Sequence, residues 1–485
     1  MERNLSAAPS TTINWESDYA MLIDGALVRS ERLIDVIDPA TATVFAQAPA
    51  CSLEDLHAAA AAAKRAFPGW RATDIAERRR HLSVAADLLE ANAASLADLF
   101  VREQGRPKPG AEAELVQAAN WIRATAVFEL PVEVTEDTPK RRVEVRHEPL
   151  GAVCAILPWN APIIQAVWKL APALLAGNTV VLKPSPFTPL CTLKLGELWT
   201  DVFPRGVINI VSGDDQLGPT MTKHPDFAKI SFTGSTATGK KVMEAASSDL
   251  KRLTLELGGN DAAIILPDVD VPKILQQLFF GAFFNTGQIC SVTKRLYIHE
   301  DIYEAVRDGL HSIADSISIG NGLEAGVTLG PLQNLKQYNR VRELIDQARK
   351  SGLKLLEGKP VPDTGYFIRI TLVDNPPDDS PVVTEEAFGP VLPLLSFKTL
   401  DEVVARANAT SYGLAASIWS KDIDIAVDLA GRLETGTVWI NQNLQGAPST
   451  PTAGHKQSGF GVENGMLGFL AYTQPKAVFI PKPRS

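Results

Sequence analysis

The sequence predicts an α/β protein with two parallel-sheet domains and a separate β-hairpin arm. Three observations predict this. The chain has 485 residues, which suggests roughly two to three domains. From Gly151 onward, short β-rich runs alternate with helical stretches, the pattern of a parallel doubly wound sheet. Before them, Val132, Val134, Val143 and Val145 alternate with charged residues on either side of Glu136-Asp137-Thr138-Pro139. That alternation reads as a hairpin between Leu130 and Arg146, apolar on one face only.

Taken in order, residues 1 to 20 read as a loose arm, and Met21 to Ala26 as a strand and turn. Ser52-Leu53-Glu54-Asp55 is a capping-box pattern. It opens a helix through the alanines of 58–63 to Phe67, with Pro68-Gly69 as its stop. Helices follow at about Ile75 to Ala91 and Ala94 to Glu103, stopped by Gly105 and Pro107. The hairpin comes next. Its apolar face has no place in either neighbouring core, so a second subunit is expected to cover it.

The first sheet takes strands at Ala152 to Leu157, Thr179 to Lys183, Val207 to Val211, Lys229 to Thr233 and Arg252 to Leu257. Helices at about Ile163 to Ala176, Thr192 to Val202, Leu217 and Thr236 to Ala246 separate them. Such sheets bind ligands beyond the carboxyl ends of their strands. The alternation resumes with strands near Ala263 to Leu266, Arg295 to His299, Leu353 to Glu357 and Thr437 to Asn441. A buried helix is expected from Ile274 to Phe284, and others at Ile302 to Ile313 and Gln337 to Arg349.

Composition narrows the function. The net charge is −9 and there is no basic block, so neither nucleic acid nor an anionic membrane is an expected partner. No apolar run reaches the roughly 18 residues of a membrane span, and Met1 to Asn14 lacks the apolar core of an export signal. The four cysteines form no C-x-x-C pair and the seven histidines no H-x-x-x-H pair. A reducing, cytoplasmic setting and no metal site are expected.

Several stretches carry chemistry, each with a plainer reading beside it. Gly287-Gln288-Ile289-Cys290 puts a thiol at the end of a polar loop, as a nucleophile or as a buried structural cysteine. Phe232-Thr233-Gly234-Ser235 leads from a strand into a helix. It lacks the G-x-G-x-x-G spacing, so it is either a phosphate cradle or an ordinary junction. Lys183, at a strand end, either reaches a ribose or phosphate or is simply solvated. Asn160, in Pro158-Trp159-Asn160, is either an amide donor to an oxyanion or the cap of the next helix. Glu256, among apolar residues, suits a general base or a structural pair. Glu386-Ala387-Phe388-Gly389-Pro390 reads as a turn.

The order Pro-Trp-Asn, Lys-Pro-Ser, Phe-Thr-Gly-Ser-Thr, Glu-Leu-Gly-Gly, Gly-Gln-x-Cys, Glu-x-Phe-Gly-Pro and a late Lys-x-Ser-Gly resembles the NAD(P)-dependent aldehyde dehydrogenase superfamily, over about residues 22 to 477. Glu256 lies 34 residues before Cys290, and Asn160 23 before Lys183; both spacings fit. The resemblance implies a Rossmann-like cofactor domain over 1–130 and 147–257 and a catalytic domain over 258–450. It implies oligomerisation elements at 131–146 and 475–485, and an entrance loop returning to the cofactor domain at 451–474. A homodimer or homotetramer is expected, with no nucleic-acid or membrane partner.

It also implies roles. Cys290 would be the nucleophile, Glu256 the base and Asn160 the oxyanion donor. The cofactor, NAD, would be contacted by Trp159, Lys183, Ser185, Gly213, Gly234, Ser235, Leu257, Glu386 and Phe388. A small-molecule aldehyde would lie against Ala161, Gln165, Trp168, Phe284, Ile289 and Ser291. Two departures stand out. Pro186 replaces the Glu that many relatives use to hold the adenosine ribose and repel a 2′-phosphate, so NADP is not excluded. Pro451-Thr452-Ala453-Gly454-His455-Lys456 stands where Pro-Phe-Gly-Gly-x-Lys is usual. No Arg or Lys lies between Trp159 and Trp168, which favours a neutral, apolar or aromatic aldehyde over a semialdehyde with a second carboxylate. The alternatives are a CoA-acylating member of the superfamily, an inactive binding protein on the same scaffold, and a cysteine hydrolase acting on esters.

Overall fold

The computed structural model describes residues 14–15 and 18–483. Most of the arm expected over residues 1 to 20 therefore lies outside the described residues. The capping box is present in both directions: Ser52 accepts from the Asp55 N–H, and the Asp55 carboxylate accepts from the Ser52 N–H. The helix it opens runs Leu53–Ala72, one turn past the expected stop at Pro68-Gly69. Proline removes one backbone donor, but Trp70 is buried and its indole N–H donates to the Leu174 carbonyl at 3.0 Å. That tertiary contact holds the last turn.

Helices Ile75–Ala91 and Ala93–Gln104 follow, the second closed by Gly105 at φ 93°. The chain then enters a further helix, Lys108–Ala126, which the sequence reading left out. Pro107, an expected stop, is instead the N-cap of that helix, with Pro109 in its first turn. A first turn has no intrahelical N–H partner to lose.

The first sheet has eight strands. Its five parallel strands are Ala152–Ile156, Thr179–Lys183, Ile208–Ile210, Phe227–Thr233 and Arg252–Glu256. They lie in the spatial order third, second, first, fourth, fifth. Met21–Ile23 and Ala26–Val28 extend one edge, and Gly459–Phe460 the other, all antiparallel. Strand order reverses between the first and fourth parallel strands, so a crevice opens beyond their carboxyl ends. These ends carry Trp159 and Asn160 on one side and Gly234 and Ser235 on the other.

The second sheet runs Lys354–Glu357, Thr371–Asp374, Val391–Phe397, Thr293–His299, Asp261–Ile265, Ala415–Trp419, Thr437–Ile440, with only the first strand antiparallel. Three of these strands, at 371–374, 391–397 and 415–419, had no reading in the sequence. Short fully buried runs carry no alternation to mark them. One core gathers residues from Met21 to Leu257 together with Phe469 and Tyr472. Two others flank the second sheet. The expected buried helix spans Val271–Phe283, but only its C-terminal half is buried, and Phe284 is 41% exposed.

The hairpin pairs Glu133–Asp137 with Arg141–Pro149, and Thr473–Pro481 adds a third strand. The expectation of a single apolar face is corrected by the register. Val134 lies opposite Glu144, and Glu133 opposite Val145. Directly paired residues share a face, so the valines of the two strands point to opposite sides. Val143 and Val145 share their face with Phe479 and Ala477. Phe479 is exposed, as are Val132 and Val134. No helix among the described residues is long and apolar enough to cross a membrane.

Candidate active site

Cys290 follows a turn that only tertiary contacts can hold. Asn285 and Thr286 have φ of 52° and 58°, and Gly287 has 77°. A β-branched residue at positive φ is strained; here the Thr286 hydroxyl donates to the Gly330 carbonyl at 2.9 Å. A Cβ on Gly287 would run into the carbonyl of Gly389. Of four free cysteines, Cys51, Cys154 and Cys191 are buried and Cys290 is half-buried. Burial pushes the Cys290 thiol up to about 12; Lys294 draws it down, while Asp261, Glu256 and Glu386 push it further up. A neutral thiol is a poor nucleophile, so its proton must leave as it reacts.

Asn160 is no helix cap. The Pro162–Ala176 helix is capped by Ala161 without a side-chain bond. The Asn160 amide instead donates to the Gln288 carbonyl at 2.8 Å, two residues before Cys290. Its second N–H has no hydrogen-bond partner among the described residues. The Asn160 carbonyl accepts from Arg106 Nη2 at 2.9 Å and from Asn285 Nδ2 at 3.1 Å. Arg106 also donates to Asn285 Oδ1 and pairs with Glu114 at 2.6 Å, both ions being buried. Glu114 in turn accepts from the Ile163 and Ile164 N–H groups, at 3.1 Å each, in the first turn of the helix. Nothing local marks Arg106 or Glu114, because their partners lie far away in sequence.

Glu256 is buried, and its Oε1 has no hydrogen-bond partner. Burial raises it well above the usual carboxylate range, Glu463 raises it further, and Lys169 offsets part of this. Lys169 and Glu463 form a buried ion pair, and Lys169 also donates to Thr233 at 2.7 Å. Neither residue was singled out from sequence. Glu386 arrives from the second sheet: its carboxylate accepts from the Gly259 N–H at 3.1 Å and pairs with Lys294 at 3.4 Å. A side chain on Gly258 would strike the Glu386 carboxylate, and a Cβ on Gly259 would sit 2.7 Å from the Cys290 carbonyl. Phe388 meets Trp159 edge to face, with centroids 5.3 Å apart.

Beyond the strand ends lies a groove of about 1370 Å³ lined by Trp159, Lys183, Ser185, Pro186, Gly234 and Ser235, among others. Ser235 caps the next helix by accepting from the Thr238 N–H. Lys183 is not solvated: it is buried and donates to the Pro184 carbonyl at 3.2 Å. Gly213 and Leu257 do not line this groove. Gly213 backs onto Leu217, and Leu257 packs on Gly239. On the other side of Asn160, Ala161 and Gln165 are buried, with Gln165 Oε1 unpartnered. Trp168 packs on Trp121 at 5.3 Å between centroids. Ile289 and Ser291 are half-buried.

A doubly wound sheet with a groove beyond its strand ends, and an amide tied to the turn before the one partly open thiol, frames a candidate site with cysteine at its centre. The chain belongs to the aldehyde dehydrogenase family, whose profile matches residues 27–478. Aldehyde dehydrogenase LUC3 of a Fusarium species is 42% identical over 449 residues, covering 92% of this chain and 95% of the relative. A variant of the aldehyde dehydrogenase from Bacillus cereus superposes with a TM-score of 0.94 at 36% identity, covering 96% of this chain and 97% of that one. The NAD+ complex of aldehyde dehydrogenase from the same organism gives a TM-score of 0.91 at 35% identity, with the same coverage. The family acts on aldehydes and uses NAD(P)+.

Proposed function

We propose that this chain oxidises a neutral, apolar or aromatic aldehyde to its carboxylic acid with NAD+, through covalent adducts on Cys290. The observation that carries this is the Asn160–Gln288 bond, which ties the amide to the turn two residues before Cys290 and leaves its second N–H without a partner among the described residues. The cofactor fits the residues present. Gly234 and the capped helix start leave room for a pyrophosphate, and a Cβ at Gly234 would meet the Phe232 ring at 2.6 Å. Lys183 and Ser185 would hold the adenosine ribose and Glu386 the nicotinamide ribose, with Phe388 beside it. When bound, the nicotinamide supplies the hydride acceptor.

Cys290 Sγ attacks the aldehyde carbon as its proton passes to solvent water. The oxyanion is held by the free Asn160 N–H and the Cys290 backbone N–H. Loss of hydride from that carbon leaves a thioester on Sγ. Glu256 then takes a proton from water, the water oxygen attacks the acyl carbon, and the C–S bond breaks to release the acid; the proton on Glu256 passes to the departing thiolate, which restores both groups. The Trp121–Trp168 pair supports an apolar or aromatic substrate. Arg106 is saturated by Glu114, Asn285 and Asn160 and leaves no cation for a second carboxylate. Retention of Glu256 favours water over CoA as acyl acceptor.

An absorbance screen for NADH and NADPH across an aldehyde panel, with and without CoA, tests this. Acid product without CoA is expected. A thioester product that needs CoA would favour the acylating alternative, and no turnover would favour a binding protein. Asn160→Ala should lower turnover by roughly 10²–10³, as loss of an oxyanion donor does elsewhere. A fall below about threefold, with chemistry rate-limiting, would remove Asn160 from the mechanism.

We assign 1–130 and 147–257 to cofactor binding, 258–450 to catalysis, 131–146 and 475–485 to oligomerisation, and 451–474 to the entrance. The four unpaired thiols suit a cytoplasmic setting. The exposed Val132, Val134 and Phe479 on the three-stranded arm support a homodimer or homotetramer. Deleting 131–146 should give smaller or insoluble species by light scattering. A clean monomer of intact protein at micromolar concentration would contradict the assignment.

A further inference from the structure

Pro186 leaves the groove without the carboxylate that many relatives place after Lys-Pro-Ser, yet another acid stands in the same groove. Asp215 lines it together with Lys183, Ser185 and Pro186. It is exposed and, among the described residues, makes no hydrogen bond or ion pair. Its neighbour Asp214 is already engaged: it pairs with Arg32 at 3.3 Å and accepts from the Gln216 N–H at 3.0 Å. Asp214 is thereby fixed, while Asp215 is free to meet a ligand. Of the charged groups that oppose the burial of Lys183, Asp215 acts most strongly, ahead of Asp214. Asp215 and Lys183 both line the groove, close enough for their charges to act on one another. Of the groove's other acids, Glu343 pairs with Arg340 at 3.6 Å, and Glu244 lies on the helix Thr236–Ala246 and is not among the charges acting on Lys183.

We infer that Asp215 replaces the missing carboxylate at position 186 and makes the groove select NAD over NADP. The inference rests on the cofactor reading of the groove given above. A carboxylate beside the adenosine ribose accepts hydrogen bonds from its 2′- and 3′-hydroxyls. NADP carries a phosphate on the 2′ oxygen, which removes that donor and sets a second anion against the first. Lys183 attracts both dinucleotides. Lys223, Lys241 and Lys336 also line the groove and would favour the phosphate, so the sign of the preference turns on Asp215.

Equilibrium titration of NADH and NADPH, followed by cofactor fluorescence, reads this without turnover. Wild-type protein should bind NADH at least about tenfold more tightly than NADPH. Asp215→Asn keeps the size of the side chain and removes its charge. It should tighten NADPH by about tenfold or more and weaken NADH severalfold. Titration with adenosine 2′,5′-bisphosphate should show the same gain, which would locate the effect at the adenosine end. A ratio of the two affinities that Asp215→Asn shifts by less than about twofold would overturn the inference while leaving the cofactor groove standing. So would a wild-type protein that binds NADPH as tightly as NADH. If neither dinucleotide bound, the reading of the groove would fail, and the inference with it.

Discussion

Cys290→Ala is expected to abolish aldehyde oxidation, by at least about 10⁴-fold, while NADH binding stays measurable. No other thiol can take over, because Cys51, Cys154 and Cys191 are all buried. The intact protein should be alkylated once under native conditions, at Cys290, as peptide mass mapping would report. The pH dependence has a definite sign. Burial holds the thiol at about 12, so only the neutral form is abundant near neutrality. Each unit of pH rise then multiplies the thiolate about tenfold. The alkylation rate of the free protein should climb by that factor between about pH 7 and 9, without a plateau. A plateau near neutrality would mean a thiol already ionised at rest. Oxidation at the normal rate by purified Cys290→Ala would sink the assignment outright.

Glu256→Gln should stop the second half of the reaction, lowering steady-state turnover by about 10³–10⁴. Neutral water attacks a thioester slowly, and Gln cannot accept its proton. The variant should form NADH once per active site and then stall, with the acyl group trapped on Cys290 as a mass increase. Glu256 is raised well above the usual range by burial and by Glu463. A group so raised is protonated at low pH and becomes a base as pH rises. Wild-type deacylation should therefore rise with pH, and the Gln variant should lose that limb. If Glu256 also takes the Cys290 proton, the burst itself should slow in the variant and recover partly at high pH. Full turnover by Glu256→Gln would exclude both roles.

Much of the architecture was legible in the residues. Strand Thr179–Lys183 and helices Ile75–Ala91 and Thr236–Ala246 fall where the pattern put them. These elements have strong local signals: a capping serine, a β-branched run, a helical period. The hairpin was legible too, but its faces were not. One register decides which side every side chain takes, and the chain sets that register through a bulge between Val134 and Glu136 and a partner strand more than 300 residues later.

The active site divides the same way. Residue type and motif order were enough to single out Cys290, Asn160 and Glu256 as candidates, because a nucleophile, a donor and a base need those functional groups, but each kept a plainer reading beside it. Whether Asn160 caps a helix or serves the turn before Cys290 was undecidable from Pro158-Trp159-Asn160. The answer lies in a bond to Gln288, 128 residues away. Arg106, between the expected stops Gly105 and Pro107, is the buried cation that ties Asn160, Asn285 and Glu114 together. Glu463 pairs with the buried Lys169, and both charges act on Glu256. Local pattern encodes which groups are present. A buried charge must find its partner wherever the fold brings one, and only the packed tertiary structure decides which residue that is.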